Sequence, residues 1–325
     1  MRYKLLLAAL FIAAIGYGGV WYTVALDSQR VIERALEDMQ INGFKVVNDT
    51  FEIGGFPYRI TLTSAKVSIN TPGGGLGFKA RDIVLTSHAW TPGHWTMTGT
   101  DGRFQLANGD VQIIDRSYIG SWRLDSEAWT GALALDGATI ERAPGLDGPA
   151  TVSALNIGLR KRREVSQGAD NALYGEEVLA ATIQLRGLVP EGDTTPSLPQ
   201  AEVMASLSGG GLKDWSRASI ADWRDQGGII EIEQLYVFWQ DVDIRGNGSL
   251  ALDENLKPLG SFGLTISDPV KLIQAADAAD WIRGKAAKNL LEEIKASDGA
   301  LSLNMQGGEL QAMGYRLRDL KPILR

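Results

Sequence analysis

Residues Ile230–Ile266 read IEIEQLYVFWQDVDIRGNGSLALDENLKPLGSFGLTI, and the fold is read most directly from this stretch. Apolar residues recur at every second position: Ile230 and Ile232 leading to Leu235–Trp239, then Val242, Ile244, Gly246, Gly248, Leu250 and Leu252, then Phe262, Leu264 and Ile266. Side chains alternate between the two faces of a strand, so this period predicts strands with one apolar face. Gln240-Asp241 and Asp253-Glu254-Asn255 interrupt the pattern with residues suited to turns. Three consecutive antiparallel strands follow from that spacing.

Working outward, Asp268-Pro269 begins a change of period, with Leu272, Ala276, Ala279, Ile282, Ala286, Leu290 and Ile294 on one broad helical face. Proline suits the first position of a helix, and Gly284 can divide the 268–295 segment in two. Two more strands are expected at Ala300–Gln306 and Glu309–Arg316. On the other side, Ser219 and Trp223, with Trp215 before them, predict a short helix over 214–225 that stops at Gly227-Gly228. Strand-like segments occupy 76–88, 94–106, 109–115, 118–126, 130–140, 151–160 and 178–186. Earlier still, Phe44, Val46, Ile60, Leu62, Val67 and Ile69 alternate imperfectly around a tight corner at Gly54-Gly55-Phe56-Pro57-Tyr58-Arg59. A soft internal boundary is expected at about 160–200, where Arg160-Lys161-Arg162-Arg163 and a proline-rich 190–199 stretch interrupt the strands. The fold class is therefore mainly β with a few helices.

The N-terminus obeys a different rule. Arg2 and Lys4 precede Leu5–Leu26, a run of 22 residues without a charge, against the roughly 20 that cross a hydrocarbon core. A cleaved signal has a shorter apolar region, and Thr23-Val24-Ala25 is a weak cleavage site. Trp21 and Tyr22 suit a membrane interface. Residues 1–4 are thus read as a cytoplasmic tip, 5–26 as a transmembrane anchor, 27–42 as a membrane-proximal helix capped by Asp27 or Ser28, and 43–325 as a β-rich outer domain. The bias of Arg2 and Lys4 keeps the N-terminus in the cytoplasm, which makes the outer domain periplasmic in a bacterial inner membrane. Removing those two residues from 32 basic leaves 30 against 39 acidic, or −9 for residues 27–325. Such a charge argues against nucleic acid as a partner.

Few residues offer chemistry. The chain has no cysteine and two histidines, which removes thiolate metal sites and cysteine nucleophiles. His88 and His94 flank Trp90-Thr91-Pro92-Gly93 and would face each other across a hairpin, but lack further ligands at metal spacing. Gly73-Gly74-Gly75 and Gly209-Gly210-Gly211 lack the Lys-Ser/Thr of a phosphate loop. No catalytic, metal or cofactor-binding residue is expected, and the chain is read as non-enzymatic. A carboxylate pair among the many acids, with Trp95, Trp122 and Trp129 as sugar platforms, is the residual glycan-hydrolase reading.

Gly55-Phe56-Pro57-Tyr58-Arg59 close behind an anchor, with Gly246-Asn247-Gly248-Ser249-Leu250-Ala251-Leu252-Asp253 and Pro258-Leu259-Gly260-Ser261-Phe262, resembles a domain-of-unknown-function family of proteobacterial membrane-anchored envelope proteins. The same glycine-punctuated strands look like the C-terminal region of AsmA-like proteins. That resemblance implies a long, curved antiparallel sheet shaped as a groove or gutter, with an apolar interior that shelters lipid tails. The candidate lining residues are Leu62, Val67, Ile69, Ile230, Ile232, Val237, Ile244, Leu250, Phe262 and Leu264; the equal alternative is that several of them are closed core and that the 268–295 helical segment fills the groove. Holding or passing lipid by hydrophobic partition needs no catalytic group. The alternative is a scaffold for envelope assembly, recruiting another envelope protein through the sheet edges, the basic run at 160–163 or the terminal 319–325 segment.

Overall fold

The structure is a computed structural model and describes residues 2–72, 75–106, 111–124, 128–143, 146, 148–162, 177–192, 197–210, 216–278 and 284–322. The expected positions Gly73, Gly74, Arg163, Trp215, Ala279 and Ile282 lie outside them, as do 163–176 and 193–196 of the expected internal boundary.

The chain divides into two compact units, Met1–Gly109 with Ile114–Leu124, and Asp110–Ile113 with Asp125–Arg325. Unit one opens with helix α1 (Arg2–Ile41), in which the apolar span and the membrane-proximal segment run together as one 40-residue helix. There is no fresh N-cap at Asp27 or Ser28; Ser28 is buried on the helix. Gly43 ends the helix with a left-handed φ of 86°, a conformation glycine adopts without a Cβ penalty. Its strands are β1 (Lys45–Val47), β2 (Glu52–Gly54), β3 (Arg59–Asn70), β4 (Leu76–His88), β5 (Thr91–Leu106) and most of β6 (Val111–Leu124). The sequence suggests two strands across 109–126; the structure has β6 alone.

Unit two carries β7 (Ala128–Arg142), β8 (Ala150–Arg162), β9 (Glu177–Pro190), β10 (Leu198–Ser208), α2 (Arg217–Asp225), β11 (Ile229–Trp239), β12 (Val242–Leu252), β13 (Pro258–Ile266), α3 (Pro269–Ala278), α4 (Gly284–Ala296), β14 (Ala300–Gln306), β15 (Glu309–Ala312) and β16 (Tyr315–Asp319). The hydrogen-bonded order follows the chain from β3 to β16, with β1 on the outer side of β3 and β2 pairing β3 off that path. The pairs β1–β3, β2–β3, β3–β4 and β4–β5 and the consecutive pairs from β7 to β16 are antiparallel. The long antiparallel sheet expected from the strand spacing is present, and the path from β1 to β16 is open.

Local turn chemistry explains the short connections. Trp239 pairs with Val242, and both intervening residues, Gln240 and Asp241, have positive φ, the two-residue hairpin geometry whose twist matches that of the strands. Met313 and Gly314 do the same between Ala312 and Tyr315, which splits the expected 309–316 strand into β15 and β16. The imperfect alternation of unit one has a comparable cause. Lys66 sits at φ 54°, so Ala65 and Lys66 both point outward while Ser64 and Val67 are both buried. In unit two Gly137, at φ 74°, likewise lets Leu135 and Ala138 both reach the interior.

Candidate functional site

Strand register decides which side chains share a face, and in unit two it assembles one broad apolar surface. A transverse row runs Leu133, Ile157, Ile183, Val203, Leu235, Gly246, Leu264 and Leu301 across β7 to β14. A neighbouring row holds Leu159, Ala181, Ala205, Ile232, Gly248, Phe262 and Leu303. The opposite face of the same strands is polar, with Asn156, Gln184, Glu202 and Tyr236 in register. This segregation is what the period-two pattern demands of a sheet with one wet side.

The apolar face is covered by α3 and α4 at its β12–β14 end and is only half-buried over much of β8–β11. Ile273 of α3 and Leu290 and Ile294 of α4 pack with Val242, Ile266, Leu301 and Ala312 into a buried cluster, and Ile244, Leu264 and Leu303 flank it. Across β8–β11 the corresponding Ile157, Val203, Ile232, Leu235 and Val237 stay half-buried, and Ile183 is 43% exposed. Glycines shape the floor between these regions. A Cβ on Gly248 would come within 2.7 Å of the Phe262 ring, and one on Gly246 within 2.5 Å of the Leu264 side chain, so both large residues lie over bare backbone of β12.

The ten lining candidates fall into two groups. Ile230, Ile232, Val237, Ile244, Leu250, Phe262 and Leu264 are half-buried members of the apolar face of unit two. Leu62 and Val67 belong to unit one and are core, at 0% and 4% exposure. Ile69 lines a separate shallow pocket of about 240 Å³ with Leu76, Phe78, Phe104 and Leu106. Sequence reasoning missed β10 by taking 190–199 as an interruption and stopping there. The alternation of Ala201, Val203, Ala205 and Leu207 was the available signal.

A cleft of about 500 Å³ opens at the bulge of β11, lined by Glu202, Gln234, Leu235, Tyr236, Arg245 and Gly246. Gln184 Nε2 donates to Glu202 Oε1 at 3.2 Å, and the Tyr236 hydroxyl donates to Asp243 Oδ1 at 2.8 Å. The Arg245 guanidinium lies 5.5 Å from the Tyr236 ring centre. Donation to Asp243 holds the Tyr236 phenol above its ordinary range. Among the described residues no group of three or more acidic or histidine side chains is placed to hold a metal ion. His88 pairs with Thr91 rather than His94, and its ring stacks on Trp90 at 5.0 Å.

The corner of unit one is built against the helix. Tyr17 donates its hydroxyl to the Pro57 carbonyl at 2.6 Å, and Trp21 Nε1 donates to the Arg59 carbonyl at 3.0 Å. Phe56 meets the Trp21 ring edge-on at 5.3 Å. Ala25, one turn further on, is fully buried.

These features define a class: a mainly antiparallel β protein led by one helix long and apolar enough to cross a membrane. Residues 21–316 match the family described as "Uncharacterized protein conserved in bacteria (DUF2125)", and the chain belongs to that family. No curated protein and no solved structure matches it.

Proposed function

We propose that this chain is a single-pass inner-membrane protein whose periplasmic β-rich part holds or passes lipid acyl chains along the apolar face of unit two, without catalysing a reaction. The observation that carries the reading is that face itself. Its rows of Ile, Leu and Val continue across β8–β11 beyond the cluster formed with α3 and α4. Contiguous apolar surface of this kind is unusual on a water-facing protein unless something binds there. Each methylene that leaves water contributes about 0.8 kcal/mol, so a chain of ordinary length can be held by partition alone. The AsmA-like proteins that the glycine-punctuated strands resemble shelter lipid tails on such a surface, which supports the same reading.

Retention of α1 as an anchor has its own support. Cleavage near Ala25 would remove Tyr17 and Trp21, whose hydrogen bonds and ring contacts complete the Gly55–Arg59 corner. Arg2 and Lys4 before the span favour a cytoplasmic N-terminus.

The test uses adjacent residues on opposite faces. The photoreactive amino acid benzoylphenylalanine is introduced at Ile183 or at Gln184 in the full chain, irradiated in cells, and the adducts are identified by mass spectrometry. Phospholipid or another acylated adduct at 183 and none at 184 is the expected result. A protein adduct at 183, with no lipid, would replace the lipid-carrier reading with the envelope scaffold.

A further inference from the structure

The corner that packs on α1 lies too far down the helix to stand clear of the membrane. Counting from Leu5, beyond the charges of Arg2 and Lys4 that fix the inner limit, a hydrocarbon core takes up about 20 residues and ends near Val24. Yet Tyr17 and Trp21, which hold Pro57 and Arg59 by hydrogen bonds, come seven and three residues before that point. At 1.5 Å per residue their partners sit roughly 4–10 Å inside the outer boundary.

The chemistry of the corner suits that depth. Backbone at membrane depth must have its polar groups satisfied by the protein. Pro57 has no N–H, its carbonyl accepts from Tyr17, the Arg59 carbonyl accepts from Trp21, and the Arg59 N–H donates to the Gly55 carbonyl at 2.9 Å. The outward side chains are aromatic: Phe56 is 58% exposed and Tyr58 69%. Arg59 pairs with His88 and His88 with Thr91, which sets the β4–β5 turn beside the corner. That turn presents Trp90, 63% exposed. Arg59 is exposed next to these rings, and its long side chain can carry the guanidinium outward to headgroup phosphate. Aromatic rings with polar edges beside a cation are the composition of an interfacial belt.

We infer that the Gly55–Arg59 corner and the Trp90 turn form a bilayer-docking surface, seated at and just below the headgroup boundary of the membrane that α1 spans, which fixes unit one against the lipid. The inference rests on α1 being a retained span and is independent of lipid binding by unit two. Because residues 27–325 carry a net charge of −9, docking depends on the rings rather than on anionic lipid.

The absence of cysteine makes single-site labelling clean. Tyr58→Cys and Trp90→Cys are made separately in the full chain, coupled to an environment-sensitive fluorophore and reconstituted in phosphatidylcholine vesicles containing lipid spin-labelled near the headgroup. Ile12→Cys reports the span, read with lipid spin-labelled deep in the tail. Ile41→Cys is the control beyond the membrane, being 82% exposed and about 25 Å further along the helix than Val24. The expected result is loss of emission at 58 and 90 with the shallow quencher, loss at 12 with the deep one, and none at 41. Unquenched labels at 58 and 90, with 12 quenched, would overturn the docking surface while leaving the anchor. An unquenched label at 12 would overturn the span and the docking surface together. Neither outcome bears on lipid adducts at Ile183, so the two readings fail separately.

Discussion

Ile60 and Leu62 have no exposed surface in the unit that α1 packs on, whereas Ile157, Val203 and Leu235 remain half-buried in unit two and Ile183 keeps 43% of its surface in the open. Both groups lie on antiparallel strands and alternate with polar neighbours. The difference teaches that alternation determines which way a side chain faces, while a second layer determines whether that face is core. Within unit two the same distinction recurs, since Ile266 and Leu301 are buried in the cluster with α3 and α4.

The largest effect expected from this contrast is in unit one. Leu62→Ala should cost about 2–5 kcal/mol, because a fully buried side chain leaves a cavity. Val203→Ala, on the half-open face, should cost about 1 kcal/mol. Urea unfolding of the detergent-solubilised full chain compares them, and equal losses would break the distinction between closed and open faces. Next comes the floor of the apolar face. Gly248→Val drives a side chain into Phe262 and should lose about 1–3 kcal/mol. Gly263→Ala meets nothing within 4 Å and should be close to neutral in the same measurement.

A smaller effect concerns the corner. Trp21→Phe keeps a ring beside Phe56 but removes the donor to the Arg59 carbonyl, for a loss of about 1 kcal/mol. Faster proteolysis at Tyr58-Arg59 would report the loosening; unchanged cleavage would mean that the corner is held without α1. The smallest is a pH effect confined to unit one. Burial, reinforced by the nearby Asp82 carboxylate, pushes the Tyr118 phenol well above its ordinary value near 10. The fold therefore favours the protonated phenol, so this contribution is intact below the unfolded pKa and is lost as pH rises above it toward the folded value. Tyr118→Phe should flatten the fall in stability above pH 10 in unfolding curves, and an unaltered slope would assign that fall to other groups.

Much of the sheet is legible in the chain's local chemistry. The turn at Gln240-Asp241, the alternation through Ile266, the 76–88 strand and the helical period after Pro269 all appear where that chemistry puts them. Boundaries fail where the deciding conformation has no strong residue signature. Met313 in a left-handed turn does not announce a hairpin, and Lys66 at positive φ conceals why Leu62 and Val67 are both buried. The candidate lining is legible only in part: seven residues share the face in unit two, while Leu62 and Val67 are core and the contribution of β8–β10 is missed.

By itself the sequence determined the mainly β character, the apolar helix at the N-terminus and the faces of the strands, because strand and helix periods are local properties of the chain. Only the tertiary structure decided that α1 runs unbroken to Ile41, that Trp21 and Tyr17 clasp the corner at Pro57 and Arg59, and that α3 and α4 pack at one end of an apolar face. These depend on contacts between residues far apart in the chain, where burial is set by whichever partner arrives, and no period in the sequence encodes that partner.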